Sequence, residues 1–125
     1  MNNTLKLEYS FKNISPVALW MGISSPLTLK DWFAEKVECN EKEYVFYWNK
    51  TPHVATILDK KEGSMLKLRW VDSGENDFFQ YDLVTSELIG DTTLYITDTC
   101  FDAEREEAIM LWDTQIENMR RVLGT

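Results

Sequence analysis

The chain has 125 residues, of which 44% are hydrophobic, and this size is typical of a single domain, 1–125, with a sizeable core. Its formal charge of −8, from 21 acidic and 13 basic residues, disfavours binding to nucleic acids and to anionic membranes, because both need clustered Lys and Arg side chains. No apolar run approaches the roughly 18 residues of a membrane span, and no signal peptide is visible, so we expect a cytoplasmic protein without membrane insertion.

The first predicted elements are a strand and two short helices. Alternation of apolar and polar residues predicts a half-buried strand whose apolar residues are Leu5, Leu7, Tyr9 and Phe11. Ser15 and Pro16 predict the start of a short helix, with the serine as N-cap and the proline at the first helical position. Thr28, with Asp31 three residues later, predicts that a second helix begins with a variant of the capping box. The apolar residues of these helices are Val17, Leu19 and Trp20 in the first and Leu29, Trp32 and Phe33 in the second.

Six further strands follow in the pattern of the sequence. They are predicted at 37–40, 43–48, 53–60, 65–71, 78–88 and 92–99. Polar or glycine-containing turns separate them, including an acidic loop at 72–77 and a turn at Ile89 and Gly90. Apolar residues that share one face of a strand are Tyr44, Phe46 and Trp48 in the second, Leu66, Leu68 and Trp70 in the fourth, and Phe79, Tyr81 and Leu83 in the fifth.

The last predicted element is a long amphipathic helix from Asp102 to Gly124. Steps of three and four residues place one apolar stripe along it, formed by Ile109, Trp112, Ile116, Met119 and Leu123. Acidic residues crowd its first turns and Arg120 and Arg121 lie in its last, and both sets complement the helix dipole. We expect Asp102 to be the N-cap and Gly124 the residue that ends the helix.

The order of these elements predicts an α+β fold. A meander of this length has one face that must be covered, and only the terminal helix is large enough to cover it. We therefore expect a curved antiparallel sheet of about seven strands, in the order β-αα-β6-α, wrapped around the long C-terminal helix. This arrangement leaves a wedge between helix and sheet that the short helices roof.

The residues at several of these positions resemble motifs of the START-like superfamily, also called the helix-grip or SRPBCC superfamily. The matching segments are Ser15-Pro16-Val17-Ala18-Leu19-Trp20, Thr28 to Ala34, Leu66 to Trp70, Leu94 to Asp98, Trp112 to Ile116, and Arg121 to Gly124. The chain is similar to the branch of activators of the heat-shock-protein ATPase and to small START-like proteins of Bacteroidetes. The resemblance implies a domain that binds a hydrophobic ligand in a cavity or acts as a chaperone partner, since only a minority of members are enzymes.

Candidate residues for such a cavity lie on the predicted inner faces. They are Trp48, Leu68, Trp70, Tyr81, Leu94, Asp98, Trp112 and Ile116. Large aromatics supply apolar surface, and Trp and Tyr each add one polar group, although the same residues also suit plain core packing. Asp98 faces inward if the alternation of its strand continues to the strand end, where it could be a polar group of the cavity with a raised pKa. The more common arrangement of such a residue is to turn outward or to bond backbone N–H groups ahead of the helix.

Few residues offer catalytic or metal chemistry. His53 is the single histidine, and no nucleophile is tied to it by a motif, so a surface role is the simpler interpretation. Cys39 and Cys100 are expected to be free thiols, because a cytoplasmic protein rarely forms disulfides. No metal-ligand spacing and no glycine-rich phosphate loop is present, so we expect neither a metal nor another cofactor.

Three functions therefore stay open. The favoured one is non-enzymatic binding of a small hydrophobic or amphipathic ligand between the sheet and the C-terminal helix. The alternative is a protein-interaction module of the heat-shock-protein ATPase activator type, and an enzyme of the cyclase or hydratase kind ranks last, since only Asp98 or His53 could serve it. The sequence leaves the ligand, the partner and the oligomeric state open.

Overall fold

The computed structural model describes residues 2–86, 88 and 90–125, and it has the α+β architecture that the sequence predicts. The strands are Asn2–Phe11 (β1), Lys36–Cys39 (β2), Glu43–Trp48 (β3), Thr51–Lys61 (β4), Met65–Trp70 (β5), Phe79–Thr85 (β6) and Thr92–Phe101 (β7). The helices are Pro16–Ser24 (α1), Pro26–Trp32 (α2) and Arg105–Leu123 (α3), and a 3₁₀ turn at Asp102–Glu104 precedes α3. The helix-grip fold is thereby confirmed.

All strands belong to one antiparallel sheet of seven strands in the order β1-β7-β6-β5-β4-β3-β2. Six of the strands follow one another as a meander, and β1 joins it by pairing with β7 along its full length, from Asn2–Phe101 to Phe11–Thr92. An irregularity in the pairing of β4 with β5 between Ile57 and Asp59 marks a bulge, which bends a strand and increases its twist. The sheet can therefore curve towards the helices.

Helix α1 begins as predicted, but one of its predicted core residues faces outward. The Ala18 N–H donates to Ser15 Oγ across 3.1 Å, which confirms the serine N-cap. Leu19 and Trp20 are buried, whereas Val17 is 73% exposed. The prediction for Val17 was wrong because Val17 and Met21 are one helical turn apart on the outer face of α1.

Helix α2 begins three residues earlier than the capping pattern predicts. It starts at Pro26, with Ser25 in the N-cap position and no capping bond from a side chain. The N–H groups of Thr28 and Leu29 both donate to the carbonyl of Ser25, so Thr28 lies inside the helix. The predicted capping box of Thr28 and Asp31 was therefore wrong, although Leu29, Trp32 and Phe33 are buried as expected.

Helix α3 has the predicted apolar stripe and the predicted end. Trp112, Ile116 and Met119 are buried, and Ile109 and Leu123 pack against the core from partly buried positions. Gly124 ends the helix with φ of 74°, a conformation that favours glycine, and its N–H bonds to the last turn. The start differs: the chain first forms the 3₁₀ turn, so Asp102 is not the N-cap of α3, and Glu104 holds that position without a side-chain bond.

Several strand ends differ from the sequence pattern. Strand β6 ends at Thr85, because Ser86 bonds across the turn to Asp91 and Gly90, and Leu88 is exposed beyond the strand end. The predicted extension of this strand to Leu88 was therefore wrong. Residue 87 of the predicted strand and Ile89 of the predicted turn lie outside the described residues. Strand β7 continues to Phe101 because β1 pairs with it to that point, and β4 begins at Thr51, directly after two turn residues with positive φ.

The core lies between the sheet and the three helices. Its fully buried side chains from the sheet include Leu66, Leu68, Leu94 and Ile96, and the helices contribute Leu19, Ile23, Leu29, Ile116 and Met119. The burial of α3 against this sheet removes its apolar stripe from water, which is the main term that stabilises such a layer. No helix in the described part of the chain is long and apolar enough to cross a membrane.

Candidate functional site

A cleft of about 420 Å³ opens where the end of β7 meets the first turns of α3. Its apolar lining consists of Trp70, Phe101, Ala108 and Leu111. Its carboxylates are Asp77, Asp98, Glu104 and Glu107. Thr99 and Cys100, which follow Asp98 on β7, complete the lining. The cleft thus has both apolar and acidic lining residues, and they come from the sheet as well as from the C-terminal helix.

Asp98 is the most buried carboxylate described for this cleft, and α3 holds it in place. It follows Leu94 and Ile96 at alternate positions of β7 and pairs with Phe79 of β6, so it lies on the inner face of the sheet. The indole N–H of Trp112 donates to Asp98 Oδ2 across 2.9 Å. Burial raises the pKa of the Asp98 carboxyl, while the bonds from Trp112 and from the Thr99 backbone oppose that rise.

Tyr81 is a second buried polar group on the same face. Its ring meets that of Trp112 edge to face, with the centroids 5.9 Å apart. Its hydroxyl is buried and has no hydrogen-bond partner among the described residues, which is uncommon for a buried phenol. Burial, followed by the nearby charge of Asp98, raises the pKa of this hydroxyl. Asp98 and Tyr81 thus both contact Trp112.

The predicted aromatics form one continuous cluster. Trp48 and Trp70 lie with ring centroids 6.0 Å apart, and Trp70 stacks on Phe79 at 5.2 Å. Phe33 stacks against Trp112 at 6.3 Å, which joins the cluster to α3, and its carbonyl accepts a bond from the Trp48 indole. These rings fill the space between the sheet and the C-terminal helix beyond the cleft.

The other residues predicted for a cavity wall lie deeper or to one side. Trp70 and Asp98 line the cleft, and Trp112 reaches it through its bond to Asp98. Leu68, Leu94 and Ile116 are fully buried in the core, and none of them is a lining residue. His53 is an exposed residue of β4 whose ring meets Trp48 and Trp70 edge to face, at 5.3 and 6.5 Å between centroids.

Several lining residues were missed because they carry no pattern. Phe101, Glu104, Glu107 and Leu111 are exposed, and the last three lie off the apolar stripe of the helix. The only signal available was their position at the junction of strand and helix. Elements that meet at a junction often leave a concave surface between them.

The chemistry of the remaining polar groups is limited. Both cysteines are free thiols, with Cys39 exposed and Cys100 partly buried in the cleft. Burial raises the pKa of the Cys100 thiol, and the charge of Arg105 opposes this effect. Within the described residues, no group of three or more His, Cys, Asp or Glu is placed to hold a metal ion.

The fold is that of a small helix-grip domain, and the comparisons agree. The model of the START-like superfamily domain matches residues 1–125, so the chain belongs to the START-like superfamily. It is similar to BfR322 from Bacteroides fragilis, with 36% identity over 96% of this chain and 90% of that one and a TM-score of 0.71. No curated protein matches the chain.

Two other solved structures share the fold at low sequence identity. The Aha1 dimer from Colwellia psychrerythraea has 13% identity, with 97% of this chain and 96% of that one covered and a TM-score of 0.80. EF2215 from Enterococcus faecalis, described as a conserved protein of unknown function, has 19% identity, with 98% and 71% covered and a TM-score of 0.76. At these identities the likeness shows the fold alone.

Proposed function

We propose that this START-like domain is a non-enzymatic binder of a small amphipathic ligand, which it holds in the cleft between β7 and α3. The observation that carries this proposal is that the cleft lining combines apolar side chains, among them Trp70 and Leu111, with polar ones, among them Asp98. Small-molecule sites combine apolar walls with a few polar groups that fix the orientation of the ligand. A ligand with both characters matches this lining.

The size of the cleft supports a small molecule. Its volume of about 420 Å³ lies within the range of roughly 300 to 1,000 Å³ that is typical of small-molecule sites. The interior beyond Asp98 is a poorer candidate, because Phe33, Tyr81 and Trp112 pack their rings against one another there. The proposal therefore concerns the open cleft and not a closed cavity in the core.

Native mass spectrometry of the protein purified from its own host tests this proposal. We expect an added mass of one small molecule that is lost on denaturation. Leu111→Gln removes apolar surface from the cleft and should reduce the occupied fraction. Leu27→Gln is the matched control, because both leucines are exposed on helices, 59% for Leu111 and 72% for Leu27, and Leu27 lies on α2. A bare mass, together with no binding of added amphipathic probes, would overturn the proposal.

A second candidate function is a protein-interaction module. Met110, at 69% exposure, lies beside Leu111 on α3 and outside the cleft lining, and Phe101 is also exposed at this end. Exposed apolar side chains that lie together are typical of interaction surfaces, and the fold shared with Aha1 is consistent with this function. Met110→Gln distinguishes the two functions, because it should weaken a protein partner and leave a small ligand bound. A failed pull-down and an unchanged heat-shock-protein ATPase rate would remove this candidate.

A further inference from the structure

The charge of the cleft narrows the chemistry of its ligand. Four carboxylates belong to the lining, those of Asp77, Asp98, Glu104 and Glu107, and the lining described contains no Lys or Arg. Two cations of the described chain lie near the lining: Arg105 opens α3 and opposes the rise that burial causes in the pKa of the Cys100 thiol, and Arg69 Nε donates to the backbone carbonyl of Asp77 across 3.0 Å. Four carboxylates against these two cations give the cleft a negative charge when the carboxylates are ionised.

Asp98 has no ion-pair partner among the described residues although it is partly buried. The ion pairs found among the described residues, Lys60 with Glu62 and Arg120 with Glu117, do not include it. The Trp112 indole donates one neutral hydrogen bond to Oδ2, and a carboxylate has about four acceptor positions in total. A partly buried carboxylate with neutral donors alone has lost part of its hydration. The Coulomb attraction of a bound cation would offset the cost of that loss.

One further group in the cleft, Trp70, suits a cation. Trp70 lines the same cleft and is only half-buried, and an indole face attracts an ammonium group more strongly than other aromatic rings do. A primary ammonium group has three hydrogen bonds to donate, and the Asp98 carboxylate keeps acceptor positions that the Trp112 indole does not fill.

From these observations we infer that the ligand is an amphipathic organic cation, whose ammonium group binds Asp98 while its apolar part lies against Trp70 and Leu111. This inference rests on the proposed function, since it names the chemical class of the ligand for the same cleft. No covalent step is involved. The acidic rim formed by Glu104 and Glu107 adds long-range attraction for a cation.

Three probes with the same apolar chain and different head groups test the inference: octylammonium, octanol and octanoate. The readout is the indole N–H resonance of Trp112, which bonds directly to Asp98. At neutral pH we expect octylammonium to bind about tenfold more tightly than octanol, a difference of about 1.4 kcal/mol, and octanoate to bind more weakly than both. Added salt should weaken octylammonium binding and leave octanol binding almost unchanged.

Two variants locate the cation within the cleft. Asp98→Asn should remove most of the preference for octylammonium over octanol, while Asp31→Asn, which removes an exposed carboxylate on α2, should preserve it. If Asp98→Asn does not fold, Glu107→Gln at the exposed rim still tests the charge and should lower octylammonium affinity about twofold to threefold.

The outcomes separate this inference from the proposed function. Equal affinity for octylammonium and octanol in the unmodified protein would overturn the cationic ligand and leave an amphipathic binder. Binding of none of the three probes would overturn the proposed function as well. An undiminished preference for octylammonium in Asp98→Asn, or an unchanged affinity in Glu107→Gln, would overturn the role of these carboxylates.

Discussion

The Trp112 indole N–H and the Asp98 carboxylate are 2.9 Å apart in a hydrogen bond that joins the C-terminal helix to strand β7. Trp112 belongs to the apolar stripe of α3, and Asp98 lies on the inner face of the sheet at the cleft. The same indole packs against Phe33 and Tyr81, so a single side chain connects the core to a polar group of the cleft. The stability of the fold and the chemistry of the candidate site therefore depend on shared contacts.

Trp112→Phe should destabilise the protein because it removes the donor and keeps an aromatic ring. Asp98 would then lack one of its hydrogen bonds at a site shielded from water. We expect the free energy of unfolding to fall by about 1–3 kcal/mol at neutral pH, as measured by urea denaturation. The matched control is Trp20→Phe, because the Trp20 indole donates to the exposed Glu62. A loss for Trp112→Phe no larger than that for Trp20→Phe would contradict the prediction.

The pH dependence of stability should change in Asp98→Asn. The pKa of Asp98 is raised in the folded protein. The Asp98 carboxyl therefore stabilises the folded state fully at pH values below the ordinary pKa of an aspartate. This contribution to the free energy of unfolding is lost as the pH rises through the folded-state pKa. Asn keeps an oxygen that can accept the Trp112 bond and does not ionise.

The stability of Asp98→Asn relative to the unmodified protein should therefore increase from acid to neutral pH and then level off. Denaturation curves at several pH values measure this difference, and Asp31→Asn accounts for the loss of one negative charge elsewhere. The contrary result is that Asp98→Asn and Asp31→Asn change the free energy of unfolding with the same dependence on pH. That result would mean that burial of Asp98 does not disfavour its ionised form.

Tyr81→Phe and Tyr44→Phe should have opposite effects, because the two buried hydroxyls differ in their bonding. The Tyr44 hydroxyl donates to the carbonyl of Ser24 across 2.6 Å, whereas that of Tyr81 is unpaired within the described residues. We expect Tyr44→Phe to lower the free energy of unfolding by about 1–3 kcal/mol and Tyr81→Phe to leave it unchanged or raise it by up to about 1 kcal/mol. Thermal or urea denaturation measures both, and a large loss in Tyr81→Phe would reveal a partner for its hydroxyl.

The sequence predicted the elements that depend on long periodic patterns. The apolar stripe on α3 and the alternation in the strands are predictable because each of these elements buries one face in the core, and that face must be apolar along its whole length. The start of α2 and the start of α3 were predicted less well, because capping depends on where the backbone turns. Thr28 and Asp102 are good capping residues, but the chain turned at Ser25 and formed a 3₁₀ turn at Asp102.

The cleft could be predicted only in part, for a related reason. Trp70 and Asp98 were candidates because alternation placed them on the inner face of the sheet. Leu111 and Glu107 lie on the exposed side of α3, where no period distinguishes a lining residue from any other surface residue. Their role follows from the junction of β7 with α3, which only the three-dimensional arrangement reveals.

The two cysteines allow ligand binding at the cleft to be measured without mutation. Cys100 lines the cleft and its thiol pKa is raised by burial, while Cys39 is exposed on the edge strand β2. Alkylation requires the thiolate, so Cys100 should react more slowly than Cys39 with iodoacetamide at mildly alkaline pH. Octylammonium should slow Cys100 further and leave Cys39 unchanged, as peptide mass spectrometry of timed samples would show. Equal slowing of both cysteines would indicate an effect on the reagent or the whole protein, and no slowing of Cys100 under conditions where the probe binds would place the probe outside the cleft.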